Sequence, residues 1–218
     1  MDLINMGQVE EIVKGKRIAV VGSAPTVLKN APGFIDSHDL VVRVNNYKLS
    51  DPAGTRTDIF YSFFGGSVRK HRDQLIKDGV KYCLCKCPNQ KVMDSSWHDK
   101  NNKGFGTDFR YIYRSREKFW FCPTYVPSLE VFMDQFRQLD NHIPSTGMAC
   151  IMLLSGMDCE IFLTGFDFFA SKKHNVDEPW RHKNPDDPIG HSPANEIAWL
   201  TARKDWFIFD NYLQSAIV

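Results

Sequence analysis

Residues 16–47 constrain the fold more than any other part of the chain. Arg17–Val21 is a short apolar run that ends at Gly22, which is the pattern of a strand buried on both faces of a parallel sheet. Residues 39–44 form a second run of the same kind, and the residues between the two predict a turn followed by a short helix. Together these segments predict an α/β fold with a mostly parallel central sheet flanked by helices.

The turn after the first predicted strand is a candidate anion-binding site. Its residues are small or turn-forming, namely Gly22, Ser23, Ala24, Pro25 and Thr26. Such residues let backbone N–H groups approach an anion closely, and the following helix would direct its positive end to the same place. We therefore predict a phosphate there, while the same composition also serves ordinary turn geometry. The second strand delivers Arg43 and Asn45 to the edge at which open α/β sheets bind ligands.

Further segments extend the predicted sheet and its helices. Apolar runs predict strands over residues 57–63, 80–87, 160–164 and 205–209. Helical patterns cover residues 8–13, 65–77, 127–139, 148–157 and 192–203. The polar stretches 88–107 and 177–188 have no periodicity and are predicted to be lid loops.

Two smaller features place polar groups at the end of a strand or the start of a helix. Ser62 ends the third predicted strand, where it would either contact a ligand or cap the strand. Ser145, Thr146 and Gly147 precede a nearly all-apolar helix, so this turn presents N–H groups and two hydroxyls at a helix start. The turn is either an ordinary N-cap or a ligand contact.

The bulk composition predicts one domain over residues 1–218. The hydrophobic fraction is 43% and the aromatic fraction 13%, which is enough for a full core. Lys and Arg number 27 against 26 Asp and Glu. This balance gives no reason to expect a nucleic-acid partner or an anionic membrane surface.

The cysteines and the first residues bear on metal binding and location. The six cysteines include no C-x-x-C pair and no paired histidines accompany them, so we expect no zinc site. Cys83, Cys85 and Cys87 alternate, which would place them on one face of a strand as small buried side chains. Residues 1–16 are polar and charged, so we expect no signal or transmembrane segment there.

Three blocks of the sequence resemble the motifs of the sialyltransferases. The large sialylmotif, an apolar strand, a glycine loop and IDSHDxVxRxN, is matched by Ile35, Asp36, Ser37, His38, Asp39, Arg43 and Asn45. Residues 144–169 resemble the small sialylmotif, in which a Ser-Thr-Gly turn opens a helix and the next strand ends in Gly-Phe. Residues 191–196 fit the His-x4-Glu motif of the animal-type family, and DFF…IGHS is similar to the bacterial lipooligosaccharide sialyltransferases. The matched blocks cover a little under a third of the chain.

The resemblance implies a single Rossmann-like, GT-A-variant domain that takes a CMP-sugar donor and a glycan or glycolipid acceptor. It implies inverting transfer of sialic acid from CMP-sialic acid, with His191 as the general base. The nucleotide and donor would contact the Gly22 turn, Asn45, Ser62, the Ser145 turn, and the loop of Gly165, Phe166, Asp167 and Phe168. Animal-type members link the large and small motifs by a disulfide. The large motif here has no cysteine, so we expect a reducing, cytoplasmic compartment, which permits peripheral contact with the inner membrane.

One residue departs from the bacterial pattern. In that branch the loop after the strand contributes a tyrosine to the leaving phosphate, and Phe169 stands in its place without a hydroxyl. Another group must then meet the phosphate, and the available ones are Lys172, Lys173, His174, Arg181 and His182. His174 falls in the interval where the animal-type family has a short histidine motif, and His182 falls there too.

No metal cofactor is expected, and other functions stay open. A single phosphate needs no metal, and no Asp-x-Asp of the kind that binds Mn²⁺ or Mg²⁺ occurs in the sequence. A dinucleotide-binding oxidoreductase would need G-x-G-x-x-G after the first strand, which the Gly22 turn lacks. CMP-Kdo-dependent transferases share the predicted architecture, and a non-catalytic nucleotide or glycan binder is the alternative of another class.

Overall fold

A computed structural model describes residues 2–65, 68, 70–98, 104–108, 110, 121–171 and 191–217. Its strands are β1 Leu3–Ile4, β2 Arg17–Val21, β3 Leu40–Val44, β4 Ile59–Ser62, β5 Tyr82–Cys85, β6 Lys91–His98, β7 Gly104–Asp108, β8 Thr124–Tyr125, β9 Glu160–Thr164 and β10 Phe207–Phe209. Its α-helices are α1 Met6–Val13, α2 Arg72–Lys77, α3 Leu129–Gln138, α4 Thr146–Leu154, α5 Pro193–Thr201 and α6 Asn211–Ile217.

Eight of these strands form one sheet in the order β1-β8-β5-β4-β3-β2-β9-β10. Every pairing within this sheet is parallel, so the predicted α/β class with a parallel central sheet is confirmed. The central strands are apolar on both sides because both faces are covered. Val20 and Val42 pack in the cluster that includes α4 and α5, whereas Ala19, Val21 and Val41 pack in a cluster on the other face.

Four of the helices, α1, α3, α4 and α5, begin after a residue whose side chain caps the first turn. The Ser128 side chain accepts the amide N–H of Val131 at the start of α3, whose Phe132, Met133 and Phe136 are buried as the helical stripe predicts. In α4, all residues from Gly147 to Leu154 are buried against the sheet. This helix runs through the largest core cluster, so its first turn is firmly positioned.

The predicted elements differ from the observed ones where local signals were weak. The first stretch predicted to be a loop, 88–107, contains the antiparallel pair β6 and β7, which has no apolar run to mark it. Of the helix predicted over 65–77, α2 covers Arg72–Lys77, and the described residues before it are not helical. Gly65 disfavours a helical start. The two-residue strands β1 and β8 and the closing helix α6 were missed. The second predicted lid, 177–188, lies outside the described residues.

The alternating cysteines are where the sequence predicts them. Cys83, Cys85 and Cys87 are buried in one cluster with Phe132 and Phe136, so they share a face of the sheet. In the part of the chain that the structure describes, no helix has the length and apolar character needed to cross a bilayer.

Candidate active site at the carboxyl edge of the sheet

Four of the predicted site segments meet at one edge of the sheet. Gly22, Asn45, Ser62 and Gly165 each lie at or just after the carboxyl end of β2, β3, β4 and β9, and these four strands are neighbours. Since all of the strands are parallel, their carboxyl ends open on the same side. The structure therefore places these four segments at one edge of the sheet.

The turns at Gly22 and Gly165 lie in direct backbone contact. The Gly22 N–H donates to the Thr164 carbonyl at 2.8 Å, and the Ala24 N–H donates to the Gly165 carbonyl at 2.8 Å. A Cβ at Gly22 would stand 2.2 Å from the Gly165 oxygen, and Gly165 has a φ of +73°. Only glycine fits at either position. The contact between the two turns is therefore sufficient to explain why each of them has a glycine.

The predicted phosphate cradle offers fewer donors than its sequence suggests. The Ala24 amide is engaged by Gly165, and Pro25 has no N–H. The predicted short helix is a 3-10 helix of five residues, Pro25–Lys29, rather than an α-helix. The Thr26 hydroxyl oxygen is buried and has no hydrogen-bond partner among the described residues. Of the cradle's side chains, Thr26 is thus one that a ligand could satisfy.

Asn45 is held in a strained conformation at the end of β3. Its φ is +46°, a left-handed value that costs a non-glycine residue about 1 kcal/mol. Its Oδ1 accepts the Ser62 hydroxyl hydrogen at 3.0 Å, and the Ser62 oxygen accepts the Phe64 N–H at 3.0 Å. Because Ser62 is fully buried, it orients the Asn45 amide, and the geometry favours the strand-end role over a ligand contact.

Arg43 does not reach the edge to which the sequence assigned it. Its side chain is fully buried and donates through Nε to the Arg56 carbonyl at 3.0 Å and through Nη2 to the Ala53 carbonyl at 2.6 Å. Asp36 accepts the Thr55 N–H at 2.8 Å and the Thr55 hydroxyl at 2.7 Å. These two residues of the first matched block therefore hold the loop before β4, which is an architectural role.

The Ser145 turn is an N-cap that is also tied to another helix. The Ser145 hydroxyl oxygen accepts the Met148 N–H at 3.2 Å and donates its hydrogen to Glu196 Oε2 at 2.9 Å. The Ser145 N–H donates to Glu196 Oε1 at 2.5 Å. Thr146 follows, half-buried, and a Cβ at Gly147 would lie 2.4 Å from the Phe166 ring. Gly147 thus lets α4 pack against the loop after β9.

His191 is oriented by a backbone carbonyl. Its Nδ1 lies 2.6 Å from the Ile143 oxygen, and since a carbonyl only accepts, Nδ1 carries the hydrogen. In the neutral ring, Nε2 then has the lone pair, which is the form that a general base requires. The Ser192 side chain accepts the Asn195 N–H at the start of α5, so the histidine stands immediately before a capped helix.

The His-x4-Glu block is attached to one segment at several points. His191 bonds to Ile143, Glu196 bonds to Ser145, and Asn195 Nδ2 donates to the Leu139 carbonyl at 3.0 Å. His191 precedes α5, whereas Asn195 and Glu196 lie in its first turn, so the block contacts residues 139–145 from both the loop and the helix. The block therefore joins the candidate base to the turn before α4.

Glu196 is a site residue that sequence reasoning used only as part of a motif. It is 1% exposed, and burial raises its pKa to about 7, against the lowering effect of the Ser145 hydrogen bonds and the Lys86 charge. The signal in the sequence was the apolar pair Trp199 and Leu200, three and four residues after Glu196 and therefore on the same side of the helix.

The loop after β9 has two residues in the left-handed region and is held by hydrogen bonds within the loop itself. The Asp167 carboxylate accepts the N–H of Phe169 at 3.1 Å and that of Ser171 at 3.0 Å, so it is occupied within its own turn. Phe168 and Phe169 have φ values of +48° and +70°. The Phe169 ring lies parallel to the His191 ring, with centroids 6.2 Å apart. Phe169 therefore borders the candidate base.

The remaining predicted site residues are not described. Lys172, Lys173, His174, Arg181 and His182 lie outside the described residues, so the identity of the group that meets the leaving phosphate stays a prediction. Among the residues that are described, no group of three or more His, Cys, Asp or Glu side chains could hold a metal ion.

Comparison with known proteins gives a fold match without a sequence match. No protein-family model and no curated protein matches the sequence. A mammalian sialyltransferase in complex with Gal-beta-1-3GalNAc-ortho-nitrophenol has 19% identity and a TM-score of 0.57, over 95% of this chain and 72% of that one. The sialyltransferase CstII from Campylobacter jejuni, in complex with the substrate analogue CMP-3FNeuAc, has 16% identity and a TM-score of 0.57, over 88% and 79% of the two chains.

A third solved structure agrees with these two. The monofunctional α-2,3-sialyltransferase Cst-I from Campylobacter jejuni has 15% identity and a TM-score of 0.54, over 94% of this chain and 75% of that one. The chain therefore has the fold of these sialyltransferases, and the predicted Rossmann-like, GT-A-variant fold class is confirmed.

Proposed function

We propose that the protein is an inverting, metal-independent glycosyltransferase that moves sialic acid from CMP-sialic acid to a glycan or glycolipid hydroxyl. The observation that carries the proposal is the orientation of His191. Its Nδ1–H is held by the Ile143 carbonyl, which leaves the Nε2 lone pair as the basic site. It stands next to the Ser145 turn, on a sheet whose carboxyl edge gathers the Gly22, Asn45 and Gly165 segments.

The reaction follows from one base and a few donors. The acceptor hydroxyl gives its proton to His191 Nε2 while its oxygen forms a bond to the anomeric carbon of the donor sugar. The bond from that carbon to the phosphate oxygen breaks, and CMP leaves with the electron pair. Attack opposite the leaving group inverts the anomeric centre. His174 is proposed to stabilise the charge that develops on the phosphate.

Solved structures of the same fold support the donor and acceptor classes. CstII is known in complex with CMP-3FNeuAc, and the mammalian enzyme is known in complex with a galactose-containing disaccharide derivative. The proposal also places the protein between the animal-type and bacterial sialyltransferases and in the cytoplasm. Both parts rest on the sequence motifs. CMP-Kdo remains the alternative donor because it has the same nucleotide.

Turnover assays test the proposal directly. We expect transfer from CMP-sialic acid to a galactose-terminated acceptor, unchanged in excess EDTA. Calorimetry should detect binding of CMP but not of UDP, GDP or NAD. Turnover of CMP-Kdo alone would reassign the donor. Binding of CMP without turnover of either donor would favour the non-catalytic alternative, and a requirement for Mn²⁺ or Mg²⁺ would contradict the proposed chemistry.

A further inference from the structure

Two cysteine side chains lie side by side where β5 meets β8. Cys83 lies in β5 and pairs with Thr124 of β8, and its N–H donates to the Pro123 carbonyl at 3.0 Å. The Thr124 hydroxyl donates to the Cys122 carbonyl at 3.0 Å, so hydrogen bonds hold the backbone around both cysteines. The Sγ atoms of Cys83 and Cys122 are 3.5 Å apart, although the two residues are 39 positions apart in the chain.

This distance between the two sulfur atoms is close to that of a disulfide bond. An S–S bond is about 2.05 Å long, so the two sulfurs would have to approach each other by about 1.5 Å. Both side chains pack in the apolar cluster of Phe132 and Phe136, on the same side of the sheet. Cys83 and Cys122 are both free thiols that stand nearly in the arrangement that a disulfide requires.

The two thiols differ in exposure and in acidity. Cys83 is buried, whereas Cys122 is half-buried and can be reached from solvent. Hydrogen bonds from the thiol and the backbone of Cys83 hold the pKa of Cys122 below its ordinary value of 9.0. The same side-chain hydrogen bond, together with burial, raises the pKa of Cys83. Cys122 is therefore the thiol that ionises first, and its thiolate is the nucleophile of the two.

Cys159 provides a comparison within the same protein. It is also half-buried, but its Sγ lies 3.9 Å from the Leu154 carbonyl, and burial together with the Asp158 charge raises its pKa to about 11. With a pKa below 9.0, Cys122 has at least about 100-fold more thiolate at pH 7 than Cys159. A thiolate of lower pKa is a weaker nucleophile, which reduces the advantage in rate to about 10-fold.

We propose that Cys83 and Cys122 form a redox-sensitive dithiol, which a low-molecular-weight disulfide such as glutathione disulfide oxidises to an intramolecular disulfide. The Cys122 thiolate attacks one sulfur of glutathione disulfide, whose S–S bond breaks, and one glutathione thiolate leaves. The Cys83 thiolate then attacks Cys122 Sγ in this mixed disulfide, and the second glutathione thiolate leaves. The two cysteines lose two electrons, which glutathione disulfide gains, and their two protons pass through solvent to the released glutathione thiolates.

The first step of this exchange favours the second. The pKa of Cys83 is raised first of all by its hydrogen bond to Cys122. In the mixed disulfide the sulfur of Cys122 no longer carries a negative charge, so this effect on Cys83 is lost. Cys83 then ionises more readily, next to the sulfur that it attacks.

The dithiol is separate from the candidate active site. Cys83 is the second residue of β5 and Cys122 precedes β8, whereas Gly22, Asn45 and Gly165 follow the carboxyl ends of their strands. The proposed disulfide therefore does not depend on the proposed function. In a reducing compartment, which the sequence predicts, the two thiols would stay reduced until the concentration of oxidant rises.

Thiol mapping by mass spectrometry tests this proposal. The native protein is treated with glutathione disulfide, the remaining thiols are alkylated, and the peptides are identified. We expect a disulfide that joins Cys83 to Cys122 and that dithiothreitol removes. In Cys83→Ala no thiol is present to resolve the mixed disulfide, so glutathione should remain attached to Cys122. Cys159→Ser is the matched control and should form the same disulfide as the native protein.

The rate of alkylation measures the difference between the two half-buried thiols. Iodoacetamide at pH 7 should modify Cys122 of the reduced native protein about 10-fold faster than Cys159, or more. Equal rates would overturn the assignment of Cys122 as the attacking thiol. Absence of the disulfide in the folded native protein, or attachment of glutathione to Cys159 rather than Cys122 in Cys83→Ala, would overturn the proposal. Circular dichroism melting shows whether Cys83→Ala folds, and if it does not, Cys83→Ser replaces it.

Discussion

Replacing Glu196 with glutamine should remove a pH dependence from the stability of the protein. Burial raises the pKa of Glu196 from its ordinary value of 4.5 to about 7. A tenfold change in an acid dissociation constant corresponds to about 1.4 kcal/mol. The raised pKa of Glu196 therefore corresponds to about 3 kcal/mol in the free energy of unfolding. The folded protein keeps the proton up to about pH 7, while the unfolded chain releases it near pH 4.5. This contribution to the free energy of unfolding is fully present below pH 4.5 and is lost as the pH rises through 7.

Urea unfolding followed by circular dichroism measures this contribution. Between pH 5 and pH 8 the free energy of unfolding of the native protein should fall, relative to that of Glu196→Gln, by about 2 to 3 kcal/mol. The introduced glutamine cannot ionise, but its amide oxygen can still accept the Ser145 N–H. Glu130→Gln is the matched control, because Glu130 is exposed in the first turn of α3. Parallel pH profiles for the native protein and Glu196→Gln would refute the account of Glu196 as a buried, largely desolvated carboxyl.

Three further predictions concern the edge of the sheet. His191→Ala should lower kcat about 10²- to 10⁴-fold with CMP affinity nearly unchanged, as measured by steady-state kinetics and calorimetry; near-normal turnover would exclude His191 as the base. Gly22→Ala should destabilise the fold and abolish CMP binding, because its Cβ would stand 2.2 Å from the Gly165 oxygen, whereas Gly156→Ala, with no atom within 4 Å, should be tolerated in thermal melting. Asn45→Gly should relieve a left-handed φ of +46° and keep or slightly raise thermal stability while weakening donor use, and unchanged KM for the donor would contradict an Asn45 contact.

Part of the site could be predicted because its signals are local. A five-residue apolar run followed by a glycine identifies β2 and its turn, and serines before apolar helices identify the caps at Ser145 and Ser192. In a parallel sheet, such strand ends and helix starts gather at one edge. The sequence could therefore indicate which segments meet at this edge, while the roles of their individual residues stay predictions.

The contacts that assign roles to these residues link positions far apart in the chain. Glu196 meets Ser145 across 51 residues, and Arg43 bonds to the loop before β4 rather than to the edge. Lys86 lies within the run 80–87 that predicts a strand, and its burial to 6% exposure follows from the folded structure. Hydrophobic patterning in the sequence determined the central strands and the main helices of this protein, because the apolar runs and stripes that mark them are local properties of the chain. Only the tertiary structure decided which polar groups are occupied and which remain for a ligand, because that depends on neighbours brought together by folding.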